Sequence, residues 1–195
     1  MLGRLLELDK DLFLIINSHH NSFWDFVMFW LSSSVIWIPL YLFFIYLIIR
    51  KYRWFSVILI VFAAILITVS DQSSVHLFKN VFMRLRPCHD PGLANLVHLV
   101  NGKCGGEYGF VSSHAVNMFA LSVFLIHFLG NKVFTPLILV WAATICYSRV
   151  YLGVHYPGDV ICGAVWGSII GLILARICLY LYQIYIGKRS RQNNQ

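Results

Sequence analysis

Apolar residues run through this chain in five long blocks separated by short polar clusters. The blocks cover about Phe23–Ile49, Trp54–Phe78, Ala115–Leu129, Val133–Tyr147 and Val160–Ile186. A helix needs about 20 apolar residues to cross the hydrocarbon of a bilayer. Each block approaches or passes that length once adjoining motif residues extend the third and fourth by a turn. Pro39 and the Ser32-Ser33-Ser34 run predict a bend in the first block, where neighbouring helices can satisfy the freed backbone groups. Ahead of these blocks, Leu2, Leu5, Leu6, Leu12, Phe13 and Ile16 recur at helical spacing, with Arg4, Glu7, Lys10 and Asp11 interleaved. That pattern predicts an amphipathic helix lying in the membrane interface, with Asn17–Asn21 as its polar exit. A sixth, shorter membrane element is the alternative.

The pattern predicts an all-α integral membrane protein, a bundle of about five transmembrane helices plus the N-terminal interfacial helix (six membrane helices on the alternative). No repeat or second domain is visible. The chain reads as a single domain, 1–195, with the amphipathic helix in 1–22, a motif-bearing core in 79–159 and a basic cytoplasmic tail in 187–195. Composition agrees, with 59% of the 195 residues hydrophobic, 12% charged and a mean hydropathy of +0.73. A soluble domain is closer to about 25% charged. Met1–Lys10 carries Glu7 and Asp9 with no small-residue cleavage site after an apolar stretch, so it does not read as a signal peptide.

The formal net charge of +7 does not point to nucleic acid, because no surface of interleaved basic and aromatic residues goes with it. Arg50, Lys51, Arg53, Lys132, Lys188, Arg189 and Arg191 instead flank the ends of apolar blocks. Five crossings put all of them on one side, which the positive-inside rule makes cytoplasmic, along with the C-terminus. Segments Lys79–Ser113 and Val150–Asp159 then share the opposite, outward face.

Those outward segments hold chemistry. Lys79, Arg86 and Pro87 form one cluster, Ser112-Ser113-His114 a second, and Ser148, Arg149, His155 and Asp159 a third. Charged groups at the hydrocarbon edge are expensive and seldom idle. Lys79, Arg86 and Arg149 suit a phosphate clamp, the arginines offering planar forks and the lysine a point charge. His155 is the candidate nucleophile, since an imidazole can attack phosphorus and carry the phosphoryl group. Asp159, four residues on, can accept the other ring N–H and support the growing charge. Pro157 and Gly158 mark a loop entering a helix, with Asp159 in its first turn. His114 is the candidate general acid for the departing oxygen. Ser112 and Ser113 stand where a helix N-terminus can be capped and can meet an anion. Arg84 reads as a rim or headgroup contact.

In this order and spacing the three clusters resemble the signature of the type 2 phosphatidic acid phosphatase (PAP2) family of membrane lipid phosphatases. The family pattern is Lys-x6-Arg-Pro, then Pro-Ser-Gly-His, then Ser-Arg-x5-His-x3-Asp. The first and third match completely. The second matches at Ser112 and His114, with Val111 in place of proline and Ser113 in place of glycine. The resemblance implies a metal-independent phosphatase, without cofactor, that works through a phosphohistidine on a lipid phosphate. Undecaprenyl pyrophosphate is the substrate favoured by the small size and outward site. Lipid A, phosphatidylglycerophosphate and phosphoryl transfer to another acceptor are the alternatives. A bacterial inner membrane, with the site facing the periplasm or exterior, is the implied location. The partners expected are membrane lipids; oligomeric state is open.

Other polar residues leave readings open. Cys88 and Cys104 share the outward loop with His89 and His98. A disulfide there is favoured over two free thiols, and over a metal site whose spacing matches no familiar zinc module. Closing such a loop is worth roughly 3 kcal/mol in the chain-entropy model. Cys146, Cys162 and Cys178 read as small packing residues. Asp71 is either a partner to the cations or a link between helices. His76 reads as packing, and His127 falls too far from the motifs to share their chemistry.

Overall fold

The structure, a computed structural model, describes residues 2–192, with side chains described for 3–187. Eight α-helices make up the bulk of it: α1 (Leu2–Ser18), α2 (Ser22–Ser32), α3 (Ile38–Tyr52), α4 (Ser56–Ser73), α5 (Asn80–Phe82), α6 (Ser113–Leu129), α7 (Phe134–Tyr151) and α8 (Pro157–Gln192). Among the described residues three stretches are long and apolar enough to cross a membrane, namely Ser34–Phe82, Phe134–Tyr151 and Pro157–Gly187, while Ser113–Leu129 is a shorter apolar helix. The fold is all-helical and membrane-spanning, as the hydrophobic blocks predict.

The first block departs from expectation by breaking rather than bending. Ser33 takes extended backbone angles and ends α2, and a 3₁₀ turn, Ser34–Trp37, leads into α3. Serine side chains compete for backbone partners, and Pro39 has no N–H to continue a ladder from upstream but fits a helix's first turn. The second block is longer than its hydropathy suggests. α4 passes through a π-helical turn, Ser74–Lys79, before ending at Phe82, which adds Lys79 to the helix end. α7 and α8 likewise take in motif residues, Arg149 and Asp159.

α6 is the centre of the bundle. Ala120, Phe124, Leu125 and Phe128 on α6 form one buried cluster with Phe44 and Ile48 of α3, Leu59 and Leu66 of α4, Ile138 of α7, and Ala175 and Cys178 of α8. The outer faces stay apolar, with Val61, Leu137, Val140, Ile161, Val165 and Ile173 all exposed. Such a surface suits lipid, where aliphatic exposure costs nothing and close helix packing supplies the adhesion. That adhesion is concentrated where α8 meets α6. Gly163, Gly167 and Gly171 fall one turn apart on α8. A Cβ at these positions would lie 2.9 Å from the Ser112 carbonyl, 2.1 Å from that of Val116 and 2.5 Å from that of Ala120. Only glycine permits this approach of the two backbones.

The two ends of the bundle differ in chemistry. At one end Lys51 Nζ and the Tyr52 hydroxyl both donate to the Phe128 carbonyl, at 2.6 and 2.9 Å, which puts the basic end of α3 beside the end of α6. The opposite end holds all three motif clusters. α1 is not a free interfacial helix there. It packs on α7 and α8, with Phe13 fully buried against Tyr156. Asn17 is not a polar exit: 1% exposed, it donates from Nδ2 to the carbonyls of His98 and Tyr151 and accepts the His98 N–H. In the basic tail, 187–195, the side chains beyond Gly187 lie outside the described residues.

Gly167→Ala should lower stability by about 1–3 kcal/mol through overpacking, whereas Gly187→Ala, where an added Cβ meets nothing within 4 Å, should be neutral. Thermal unfolding of both variants in detergent checks this; equal midpoints would refute the close α6–α8 contact.

Candidate active site

A single loop turn builds the centre of the site. Residues Tyr151 to Tyr156 are all buried, and Gly153 takes a positive φ of 80° that turns the chain out of α7 and toward α8. Pro157 opens α8, so the first-turn residue Asp159 points back at this turn. Its Oδ2 accepts the Tyr156 N–H at 3.0 Å and lies 3.5 Å from His155 Nδ1. Asp159 is fully buried and His155 is 2% exposed. On the other side of the ring, Arg86 Nη1 sits 3.2 Å from His155 Nε2 and 3.2 Å from the Val154 carbonyl. An arginine can only donate. The tautomer that fits an Arg86 donor at Nε2 carries its proton on Nδ1, which faces Asp159 at 3.5 Å but makes no hydrogen bond among the described residues. In this arrangement the Nε2 lone pair accepts from the Arg86 guanidinium.

Burial, with Arg86, Arg149 and Lys79 adding to it, pushes the His155 pKa well below the ordinary 6.5. The imidazole is thus neutral and nucleophilic at physiological pH.

The three cations that the sequence suggests as a phosphate clamp come from three different elements. Lys79 ends the π-helical turn, where the extra residue per turn shifts the side-chain direction, and its Nζ donates to Ser113 Oγ at 2.6 Å. Ser113 Oγ is also 2.7 Å from Ser74 Oγ. The serine that replaces the family's glycine thus positions the lysine. Arg149, on the last turn of α7, hydrogen-bonds through Nη1 to Ser32 Oγ at the end of α2. Arg86 Nε, Arg149 Nε and Ser112 Oγ are buried with no hydrogen-bond partner among the described residues. Buried polar atoms are rarely left unpaired, and this set matches the acceptors of a phosphate group. Ser112 stands at the N-cap of α6, yet its hydroxyl makes no cap bond; its N–H donates to the Asp159 carbonyl instead. His114 follows within the first turn of α6, in Coulombic reach of Arg149, His155, Lys79 and Arg86. A cavity of about 320 Å³, lined by Phe29, Ser32, Lys103, Gly105, Arg149 and Val154, opens beside the clamp.

Arg84 is the residue that sequence reasoning misplaced. Leu85 forms an antiparallel bridge with Tyr108, so 84–86 is extended. In extended chain, residues two apart point the same way, and both arginines face the site. Arg84 Nη1 donates to Asp159 Oδ1 at 2.8 Å, and Nη2 to Asp9 Oδ2 at 2.7 Å. Its guanidinium also lies 4.1 Å over the Tyr156 ring. Asp9 Oδ1 in turn accepts the Gly158 N–H at the start of α8. Asp9 was legible only as one of several charges on an amphipathic helix. Period-two spacing from Arg86 was the available signal for Arg84.

Cys88 and Cys104 are disulfide-bonded with their Cα atoms 6.1 Å apart, which closes the loop that follows Arg86. Asp71 makes no side-chain hydrogen bond or ion pair among the described residues. His76 pairs with Gln72 on its own helix, and His127 with the Val123 carbonyl.

A family model for the PAP2 superfamily matches residues 56–183, two thirds of the chain. The chain belongs to this family. It is 38% identical over 170 residues to a lipid A 4'-phosphatase of Bacteroides thetaiotaomicron, covering 86% of this chain and 76% of the relative. It is 30% identical to an undecaprenyl-diphosphatase of Sulfolobus acidocaldarius, covering 86% and 77%. The crystal structure of a transmembrane PAP2-type phosphatidylglycerolphosphate phosphatase from Bacillus subtilis superposes with a TM-score of 0.67 at 19% identity, over 89% of this chain and 86% of that one. The protein is a membrane-bound PAP2 phosphatase acting on lipid phosphate.

Two outcomes are expected of this PAP2 site. Arg84→Ala removes a charged hydrogen bond worth about 1.5–3 kcal/mol, roughly ten- to a hundredfold in kcat/KM, with Asp9→Asn milder and Arg84→Lys partly restoring; rates equal to wild type for Arg84→Ala would refute the role. Since protonation of His155 removes its lone pair and its pKa is lowered, the acid limb of kcat/KM should fall below pH 6.5. The unfolded chain takes up that proton first, so folding stability should also decline as pH drops below 6.5. A pH–rate profile and melting at each pH check both; an acid limb at or above 6.5 contradicts the assignment.

Proposed function

We propose that this protein hydrolyses a phosphate monoester of a lipid A-type glycolipid, by way of a phosphohistidine on His155, at the outer face of a bacterial inner membrane. The mechanism rests on one observation, His155 buried between Asp159 at Nδ1 and Arg86 at Nε2. His155 Nε2 attacks phosphorus, the P–O bond to the lipid breaks, and the departing oxygen takes a proton from His114. A water then gives its proton to His114 and attacks phosphorus, breaking the P–N bond and releasing inorganic phosphate. Lys79, Arg86, Arg149 and the Ser112 hydroxyl hold the phosphoryl oxygens as their charge redistributes.

Similarity to the Bacteroides lipid A 4'-phosphatase supports the substrate, in preference to the undecaprenyl pyrophosphate that small size suggested. Undecaprenyl pyrophosphate stays as a second reading through the more weakly similar undecaprenyl-diphosphatase. The outward orientation is supported by the segregation of cations: Lys51 and its neighbours gather at the end opposite the motif clusters, which the positive-inside rule assigns to the cytoplasm.

Phosphate release by detergent-purified protein should be measured on lipid A, undecaprenyl pyrophosphate, phosphatidylglycerophosphate and phosphatidic acid, with EDTA present. Lipid A should give the highest kcat/KM, His155→Ala should abolish turnover, and Asp159→Asn should lower it steeply. An acid-labile, base-stable phosphoryl enzyme should form with wild type and be missing in His155→Ala. Loss of activity in EDTA, turnover in His155→Ala, or a phosphorylated acceptor in place of free phosphate would each overturn the proposed chemistry; a higher rate on undecaprenyl pyrophosphate would select the second reading.

A further inference from the structure

Beside the phosphate site, and sharing no residue with it, three potential ligands converge. His20 lies in the α1–α2 turn, Asp25 in the first turns of α2, and His98 in the loop before Cys104. One ring nitrogen from each histidine and a carboxylate oxygen all fall within 4.8 Å of one another. We propose that His20, Asp25 and His98 bind a divalent transition-metal ion of the Zn²⁺ class, in a site separate from catalysis.

The donor set carries the metal class. Two imidazoles and one carboxylate suit Zn²⁺, Co²⁺ or Ni²⁺, with water in a fourth position, and do not suit Mg²⁺ or Ca²⁺. Ligand atoms about 2.0–2.2 Å from a tetrahedral ion stand about 3.3–3.6 Å apart. His98 Nε2 and Asp25 Oδ2 are already 3.0 Å apart. His20 stacks on His98 with ring centroids 3.6 Å apart and planes within 4°, and being exposed it is free to swing the remaining distance.

The support behind the ligands distinguishes this cluster from a chance surface pair. Asp25 uses its other oxygen, Oδ1, to accept the Tyr151 hydroxyl at 2.8 Å, and Tyr151 is 2% exposed. His98 is held at both main-chain polar groups by Asn17, itself 1% exposed. Outer partners of this kind orient metal ligands and are part of a working site. A cavity of about 340 Å³, lined in part by Ser22, Asp25 and His98, gives an ion and its water a path from the surface. An ion here would join the α1–α2 turn to the outward loop and, through Tyr151, to the end of α7 that carries Arg149. It therefore acts as a brace on the mouth of the site rather than a reactant.

The test uses full-length protein with any histidine tag removed, stripped with EDTA and then freed of the chelator. Zn²⁺ binding is measured by titration calorimetry and confirmed with Co²⁺, whose visible absorption reports tetrahedral nitrogen and oxygen ligation. Wild type should bind one ion per chain and gain thermal stability with added Zn²⁺. His20→Ala should keep phosphatase activity and weaken Zn²⁺ binding at least tenfold. Asp25→Asn, which retains the shape and a hydrogen-bonding side chain, should do the same, and Tyr151→Phe should weaken binding by about ten- to a hundredfold. No stoichiometric binding by wild type, or binding unchanged in both His20→Ala and Asp25→Asn, overturns the proposal and leaves the cluster as a hydrogen-bonded histidine–aspartate pair.

Discussion

The arrangement of the site depends on keeping one carboxylate, Asp159, charged inside the protein. It has no solvent exposure, and a buried carboxylate left alone would cost several kcal/mol or give up its charge. Arg84 at 2.8 Å and the Tyr156 N–H at 3.0 Å provide the compensation. Because Oδ1 is committed to Arg84, Oδ2 is the oxygen that faces His155. The same two contacts thus favour the ionised aspartate and leave its Oδ2 on the Nδ1 side of the imidazole. His155, Arg86 and the turn at Gly153 are arranged around that choice.

Arg84 must itself be held, and the chain uses its N-terminus to do so. Asp9 takes the second arm of the guanidinium while its other oxygen receives the Gly158 N–H at the start of α8. Next to it, Lys10 pairs with Asp90 at 2.7 Å, and Asp90 accepts the Tyr156 hydroxyl. Asp9 and Lys10 of α1 are therefore latches onto the 84–90 segment and the 156–159 turn. This explains why a helix of amphipathic pattern is docked on the bundle instead of lying apart in the interface. Its apolar face meets Tyr156 and Val150 through Phe13, and its polar face meets charges that the site had already buried.

Much of this was legible in the chain itself. Long apolar blocks located the helices, because a bilayer leaves helix as the economical way to satisfy backbone groups. Fixed spacings located His155, Asp159, Arg149, Lys79 and Arg86, which the structure brings together with Ser112 and His114. What escaped depends on direction and on partners remote in sequence. Arg84 and Asp9 are 75 residues apart, and nothing local marks them as a pair. The break at Ser33 follows from a competition between serine side chains, Pro39 and the α2 and α7 packing surfaces, which hydropathy does not resolve. Gly163, Gly167 and Gly171 went unread in the sequence, because their meaning needs the α6 backbone opposite them. Ser113 looked like a departure from the family pattern, yet its hydroxyl receives Lys79, so the substitution adds a contact where glycine has none.

The charge balance of the site suits a phosphoryl group, as the proposed function requires. Asp159 and Asp9 are both engaged by Arg84, so neither presents free negative charge to an incoming anion. Lys79, Arg86 and Arg149 form no ion pair among the described residues, although Arg86 is only 8% exposed. Three cations crowded without carboxylate partners repel one another and lose hydration, an arrangement that disfavours the folded state in isolation. An anion with several oxygens relieves both effects at once, and a planar fork on two of the three cations favours phosphate over a monovalent ion. In the proposed mechanism the transition state carries that charge on the same equatorial oxygens, so the strain held in the cation cluster would be released where it accelerates the reaction. Arg84 is what makes this possible: by pairing with both carboxylates, whose other oxygens take the Tyr156 and Gly158 N–H groups, it leaves the other three cations without a carboxylate partner.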